Sequence, residues 1–248
     1  MKLFKSIFGA VWALWGLLVF TTTLFIVIIP ICLTYFIKEP AGTAAFRTIS
    51  KLWMNVFLPL IGCPLTTKGR EHFAKGQTYV VVCNHNSLMD VPVTTPFVPG
   101  ANKTIAKKSF TKVPVFGWVY KRGTVLVDRN SDESRKKSFD EMKKTLQHGL
   151  HMVIYPEGTR NRSELPLKAF HDGAFKLAVS LQKEIIPAVV FNTRKVLPPQ
   201  RPFYLWPHKL QMHFLPPVSS VGISSKELRE KVFKIMWDYI ENEKAVKN

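Results

Sequence analysis

Tyr79-Val80-Val81-Val82-Cys83-Asn84-His85-Asn86-Ser87-Leu88-Met89-Asp90 is the stretch on which the reading of this chain turns. The apolar run Tyr79–Cys83 predicts a strand. The polar turn after it places a histidine and a carboxylate between that strand and the next apolar segment. Where two such side chains meet, Asp90 fixes the tautomer of His85 and stabilises its protonated form, and His85 takes a proton from a hydroxyl. That is two members of a serine-hydrolase triad without the serine, so the hydroxyl must belong to a substrate. A plainer reading also fits: Ser87-x-x-Asp90 is a capping-box pattern, in which Asp90 only ties off a helix.

Outward from this stretch, residues 61–248 alternate between strand and helix patterns. Strands are predicted at Tyr79–Cys83, Thr124–Asp128, Met152–Tyr155, Ile185–Phe191 and Leu210–Phe214. Helices are predicted at Ser131–His148, Gly173–Gln182 and Ser224–Lys244. The last opens with a capping box, Ser224-x-x-Glu227, and carries Leu228, Val232, Ile235, Met236, Tyr239 and Ile240 on one face. This alternation defines an α/β domain, a layered mixed or parallel sheet flanked by helices, whose reactive groups gather at strand C-termini. Three loops at such ends carry polar chemistry: Asn84–Asp90, Asp128-Arg129 and Pro156-Glu157-Gly158-Thr159-Arg160. Arginine suits bidentate phosphate contacts, and Gly158 allows backbone N–H groups to approach a developing oxyanion.

Residues 1–60 differ in kind. From Ser6 to Ile37 there are 32 positions without a charge, longer than the apolar core of a signal peptide. As one helix it would measure about 48 Å, against about 30 Å of bilayer hydrocarbon, so it must tilt or break, with Pro30 the expected kink. Thr43–Leu60 reads as a second, amphipathic helix with Phe46, Ile49, Leu52, Trp53, Val56 and Phe57 on one side. Residues 1–60 are therefore expected to be a two-helix membrane anchor, separable from the domain that follows. Lysines flank both ends of the apolar run, so charge sets no orientation.

The formal net charge of +18 calls for anionic partners: lipid headgroups, phosphates or an acidic carrier protein. Nucleic acid is disfavoured, because no zinc-finger, basic-zipper or ribonucleoprotein motif is present. Cys32, Cys63 and Cys83 sit among apolar residues without a C-x-x-C, which argues against a disulfide framework or a zinc site.

Four ordered blocks then resemble the glycerolipid acyltransferase family. They are Asn84-His85-x-Ser87-x-x-Asp90, Gly123-x-x-x-Val127-x-Arg129, Glu157-Gly158-Thr159-Arg160 and Ile186-Pro187-x-Val189, with Ala106-Lys107-Lys108 and Pro114–Trp118 also fitting. The nearest resemblance is to bacterial lysophosphatidic acid acyltransferases, over about residues 65–215. Phe170-His171-Asp172-Gly173 departs from the family pattern, in which lysines often precede the glycine. The resemblance implies a membrane enzyme of the bacterial inner membrane, its site on the cytoplasmic face, converting lysophosphatidic acid to phosphatidic acid. The donor would be an acyl thioester of acyl carrier protein or coenzyme A, used as co-substrate, with no metal and no cofactor. His85 would be the general base and Asp90 its partner; Lys107, Arg129, Glu157 and Arg160 would form the phosphate pocket, and Gly158 would serve the oxyanion. Another lysolipid or glycerol 3-phosphate as acceptor stays open, as does oligomeric state. A thioesterase or lipase lacks its G-x-S-x-G here, and a non-catalytic binder of anionic lipid would use the same basic surface.

Overall fold

A computed structural model describes residues 2–128 and 131–245. The Tyr79–Cys83 run forms β2 of a seven-stranded sheet: β1 (Leu65–Lys68), β2 (Val80–Cys83), β3 (Asn102–Lys107), β4 (Thr124–Val127), β5 (His151–Ile154), β6 (Ile185–Phe191) and β7 (Leu210–Phe214). The order is β1-β7-β6-β2-β5-β3-β4. All neighbouring pairs are parallel except β6 with β7, where Ala188 faces Phe214 across an antiparallel ladder. The mixed α/β sheet expected from the sequence is what the chain forms.

Alternation along the central strands separates two cores. Val80, Val82, Met152, Ile154, Ile185 and Val189 point to one face, where α5 (Asp132–Gln147), α6 (Gly173–Ser180) and α8 (Ser225–Ala245) cover them, the short α7 (Thr193–Val196) following β6. The capping box expected at α8 is present: Ser224 N–H donates to Glu227 Oε2 at 2.8 Å and Glu227 N–H to Ser224 Oγ at 3.2 Å. Val81, Cys83, Val153, Tyr155, Ile186 and Ala188 point to the other face, which the N-terminal helices cover.

Those helices are α1 (Lys2–Leu33) and α2 (Ala41–Leu60). Pro30 lies inside α1, which continues through it, so the expected break is absent. One helix, over Leu3–Phe36, is long and apolar enough to cross a membrane, with mean hydropathy 2.5. The stripe expected on α2 divides: Phe46, Trp53 and Phe57 are buried, with Met54 and Leu58, whereas Leu52 and Val56 are exposed. Core burial takes the first set, because α2 lies on the sheet and not free of it. The boundary expected after residue 60 is therefore no packing boundary.

Polar contacts reinforce this. The Trp12 and Trp15 indole N–H groups donate to the carbonyls of Ile61 and Leu60, and Trp53 Nε1 donates to Thr23 Oγ1 at 2.8 Å. At the corner between the two helices, Arg122 at the end of α4 (Phe116–Arg122) donates to Glu39 Oε1 at 2.8 Å and to Thr34 and Thr43. Lys103 meets the same Glu39 oxygen at 3.0 Å. Burial acts to raise the Glu39 carboxyl, but hydrogen bonds from Thr43, Arg122 and Lys103 outweigh it and hold the group at about 2.

Candidate active site

β2 ends where its ladder runs out, and Asn84 replaces the next rung. Its side-chain amide donates to Val190 O at 3.0 Å and accepts from Val190 N–H at 2.8 Å, which pins the turn to β6. His85 follows, and its Nδ1 lies 2.8 Å from Asp90 Oδ2. Asp90 is fully buried at the start of α3 (Asp90–Thr94), while the His85 side chain keeps 18% of its exposure. The same Oδ2 accepts the backbone N–H groups of Asn86 at 2.6 Å and Ser87 at 2.7 Å. One oxygen of Asp90 thus ties the turn and meets the imidazole, while the helix cap itself falls at Met89, with no side-chain cap bond. Ser87 Oγ donates to Leu197 O at 2.7 Å, which gives it a structural partner. The His85 ring lies against Tyr155, with centroids 4.5 Å apart. Burial pushes the Tyr155 hydroxyl well up, so it stays neutral beside Thr94.

Glu157 departs from its expected place in the phosphate pocket. It is buried, and its two oxygens accept the backbone N–H groups of His85 at 2.7 Å and Lys168 at 2.9 Å. The carboxylate therefore clamps the histidine turn to the loop after β5. Desolvation pushes the Glu157 carboxyl up to about 7, although both backbone N–H groups pull it down. Gly158 sits at φ 71°, a region that favours glycine. Its N–H donates to Tyr155 O at 3.1 Å, and the residue lines the same cavity as His85. Asn161 N–H donates to His85 O at 2.6 Å, which brings the turn through Arg160 over the dyad.

A cavity of about 950 Å³ opens at His85. Its mouth carries Lys107, Arg160, Arg162 and Lys168, and the Lys168 ammonium donates to Thr159 Oγ1 at 2.7 Å. Its interior is apolar, walled by Phe20 of α1, Phe46, Trp53 and Met54 of α2, and Phe116, Val119 and Tyr120 of α4. The structure thus brings His85, Asp90, Lys107, Gly158 and Arg160 to one site. Arg129 lies outside the described residues. Arg162, Lys168 and the α2 side chains were missed in the sequence. Arg162 and Lys168 could have been found as the further cations after the Arg160 turn, but nothing in sequence pairs α2 with β2.

An imidazole–carboxylate pair beside a largely apolar cavity, which Lys107, Arg160, Arg162 and Lys168 also line, has the groups needed to take a proton from a hydroxyl. The acyltransferase family model matches residues 64–191, and the chain belongs to that family. Among its relatives, the 1-acyl-sn-glycerol-3-phosphate acyltransferase of Saccharomyces cerevisiae is 27% identical over 203 residues, covering 79% of this chain and 65% of that one. The alpha enzyme of the same name from Mus musculus is 31% identical over 175 residues, or 68% of this chain and 60% of that protein. The chain's matches thus span less than two thirds of these relatives' own length. The crystal structure of the 1-acyl-sn-glycerophosphate (LPA) acyltransferase from Thermotoga maritima superposes with TM-score 0.84, covering 97% of this chain and 98% of that one at 22% identity. It shares the fold.

Proposed function

We propose that this protein transfers an acyl group from a thioester to the sn-2 hydroxyl of lysophosphatidic acid, yielding phosphatidic acid. The observation that carries this reading is the 2.8 Å His85–Asp90 pair at the cationic mouth of the apolar cavity; the names of the relatives above support the choice of acceptor. With Nδ1–H held by Asp90, the other ring nitrogen of His85 takes the hydroxyl proton as the oxygen attacks the thioester carbonyl. The C–O bond forms, the tetrahedral intermediate collapses, and the C–S bond breaks. The imidazolium then returns its proton to the leaving thiolate. Asp90 balances the charge on imidazole through the cycle. Arg160 and Lys107 take the acceptor phosphate, and Arg129 is assigned there from the motif alone. Backbone N–H groups around Gly158, which lines the cavity with His85, take the oxyanion role. This step needs no metal and no cofactor; acyl carrier protein or coenzyme A supplies the thioester.

The same reading places α1 in one leaflet. Contacts to the rest of the fold run from Gly9, whose carbonyl accepts from Leu205 N–H at 3.1 Å, to the fully buried Ile31. That distance is about 33 Å along a helix, more than the roughly 30 Å hydrocarbon core. A crossing α1 would drag the polar domain into the bilayer. Lying along the surface, its exposed Leu3, Ile7, Leu14, Leu18, Phe25 and Ile29 meet acyl chains. The test is product formation by purified protein from lysophosphatidic acid with acyl-carrier-protein and coenzyme A donors, against glycerol 3-phosphate and other lysolipids as acceptors. Preference for another acceptor would replace the substrate named here, and a covalent acyl-enzyme burst would replace the direct attack.

A further inference from the structure

Residues 108–118 comprise the connection from β3 and the first turn of α4, and Phe110 and Phe116 within them line the cavity. The segment is held mainly by its own bonds: Thr111 Oγ1 donates to Lys108 O, Gly117 N–H to Val113 O at 2.8 Å, and Phe116 N–H to Pro114 O at 2.6 Å. That last bond closes a three-residue turn over Val115 at φ 60°, ψ −57°, a conformation that is strained for a β-branched residue. Its outer side is apolar: Val113 is 45% exposed and Trp118 59%.

The apolar surface continues into the membrane helix. The Tyr35 hydroxyl donates to Trp118 O at 2.7 Å, and Tyr35 and Phe36 are themselves exposed. Between Lys108 and Lys121 the sequence holds no acidic residue, while Lys108, Lys112 and Lys121 are exposed. Tryptophan and lysine beside an apolar strip are the composition of a headgroup-level contact. A protein partner would have to displace lipid from a surface continuous with α1.

We infer that residues 108–118 form a flap seated in the headgroup layer of an anionic leaflet, holding the cavity mouth at the lipid plane so that the acceptor passes from leaflet to site without crossing water. This rests on the reading of α1 as lying in that leaflet. An exposed tryptophan, a valine and lysines on so short a segment cannot anchor the chain; their task is delivery of the acceptor.

The test uses full-length protein with vesicles of phosphatidylglycerol and phosphatidylethanolamine. Neither Val113 nor Trp118 lines the cavity, so the Val113→Ser/Trp118→Ser protein should keep its turnover on a short-chain acceptor dissolved as monomers. Its KM for vesicle-borne lysophosphatidic acid should rise by about tenfold, the scale set by the apolar surface withdrawn from the leaflet. The second readout needs no turnover: lipids brominated near the headgroup should quench fluorescence present in the unmutated protein and absent from W118F. Equal losses on both acceptors would mean that the segment supports the fold, and would overturn the proposal. So would an unquenched Trp118 in protein that still sediments with vesicles, or a dimer that the double substitution dissociates. Failure to sediment with vesicles would overturn the placement of α1 and the flap together.

Discussion

Replacing Glu157 by glutamine tests the clamp that holds the histidine turn. The carboxylate accepts two backbone N–H groups, from His85 and Lys168. An amide keeps one acceptor oxygen and turns an NH₂ toward the other donor, leaving a buried N–H unpaired at a cost of about 1–3 kcal/mol. Against this, burial holds the native carboxyl up at about 7, above its ordinary 4.5. A raised carboxyl means that the folded chain binds more protons than the unfolded one between these values, so stability falls as pH rises from 4.5 to 7. At roughly 1.4 kcal/mol per pH unit the loss is about 3 kcal/mol, and glutamine cannot incur it. Glu157→Gln should therefore be less stable than the parent at pH 5 and close to it, or above it, at pH 8. With about 2–4 °C per kcal/mol for a chain of this size, the gap in Tm should move by about 6–12 °C between the two pH values. Melts in detergent, followed by tryptophan fluorescence, read it directly. A pH-independent gap would refute the buried, half-ionised clamp. Turnover should fall by about 10- to 100-fold from the displaced His85 backbone.

Asp90→Asn should slow acyl transfer by on the order of 10²–10⁴-fold while circular dichroism stays near native, since an amide oxygen can still accept from Asn86 and Ser87; full activity would leave Asp90 only its role in the turn. Arg160→Ala should raise the acceptor KM more than the donor KM, and Arg160→Lys should recover part of it because the planar fork is lost; equal effects on both substrates would assign Arg160 to the shared site. His151 is buried with its Nδ1 accepting from Tyr79 N–H, and desolvation lowers it to about 4 from 6.5. The unfolded chain then binds the extra proton, so stability is lost as pH falls from 6.5 through about 4, by about 3 kcal/mol, and His151→Gln should abolish that slope in a pH series of melts. Deleting residues 1–60 removes Phe46, Trp53, Met54, Phe57 and Leu58 from the core, and should give an aggregated product with no cooperative melt; a soluble, cooperatively folded truncation would show that the helices are detachable after all.

The sequence carried the central strands and the dyad because β2, β5 and β6 are apolar on both faces and the motif residues are local in the chain. β3 was not legible. Its inward residues Asn102 and Thr104 are polar and earn burial by hydrogen bonds, Asn102 to Thr95 O and Thr104 to Val153 O. β1, Leu-Thr-Thr-Lys, is a short edge strand with alternate residues exposed. The hydrogen bonds of Glu157 and Gly158 were not legible, because their motif predicts proximity to the site, whereas burial and backbone geometry decide which partner each group meets. The docking of α2 was hidden because an amphipathic helix reads alike whether its apolar face meets lipid or a sheet.

The most direct test of the account is phosphatidic acid formation by His85→Ala, measured by mass spectrometry with lysophosphatidic acid and both thioester donors. The account predicts no product above the uncatalysed background from protein that melts within a few degrees of the parent and still sediments with vesicles. Undiminished product from that folded protein would contradict it, because another group would then be taking the hydroxyl proton.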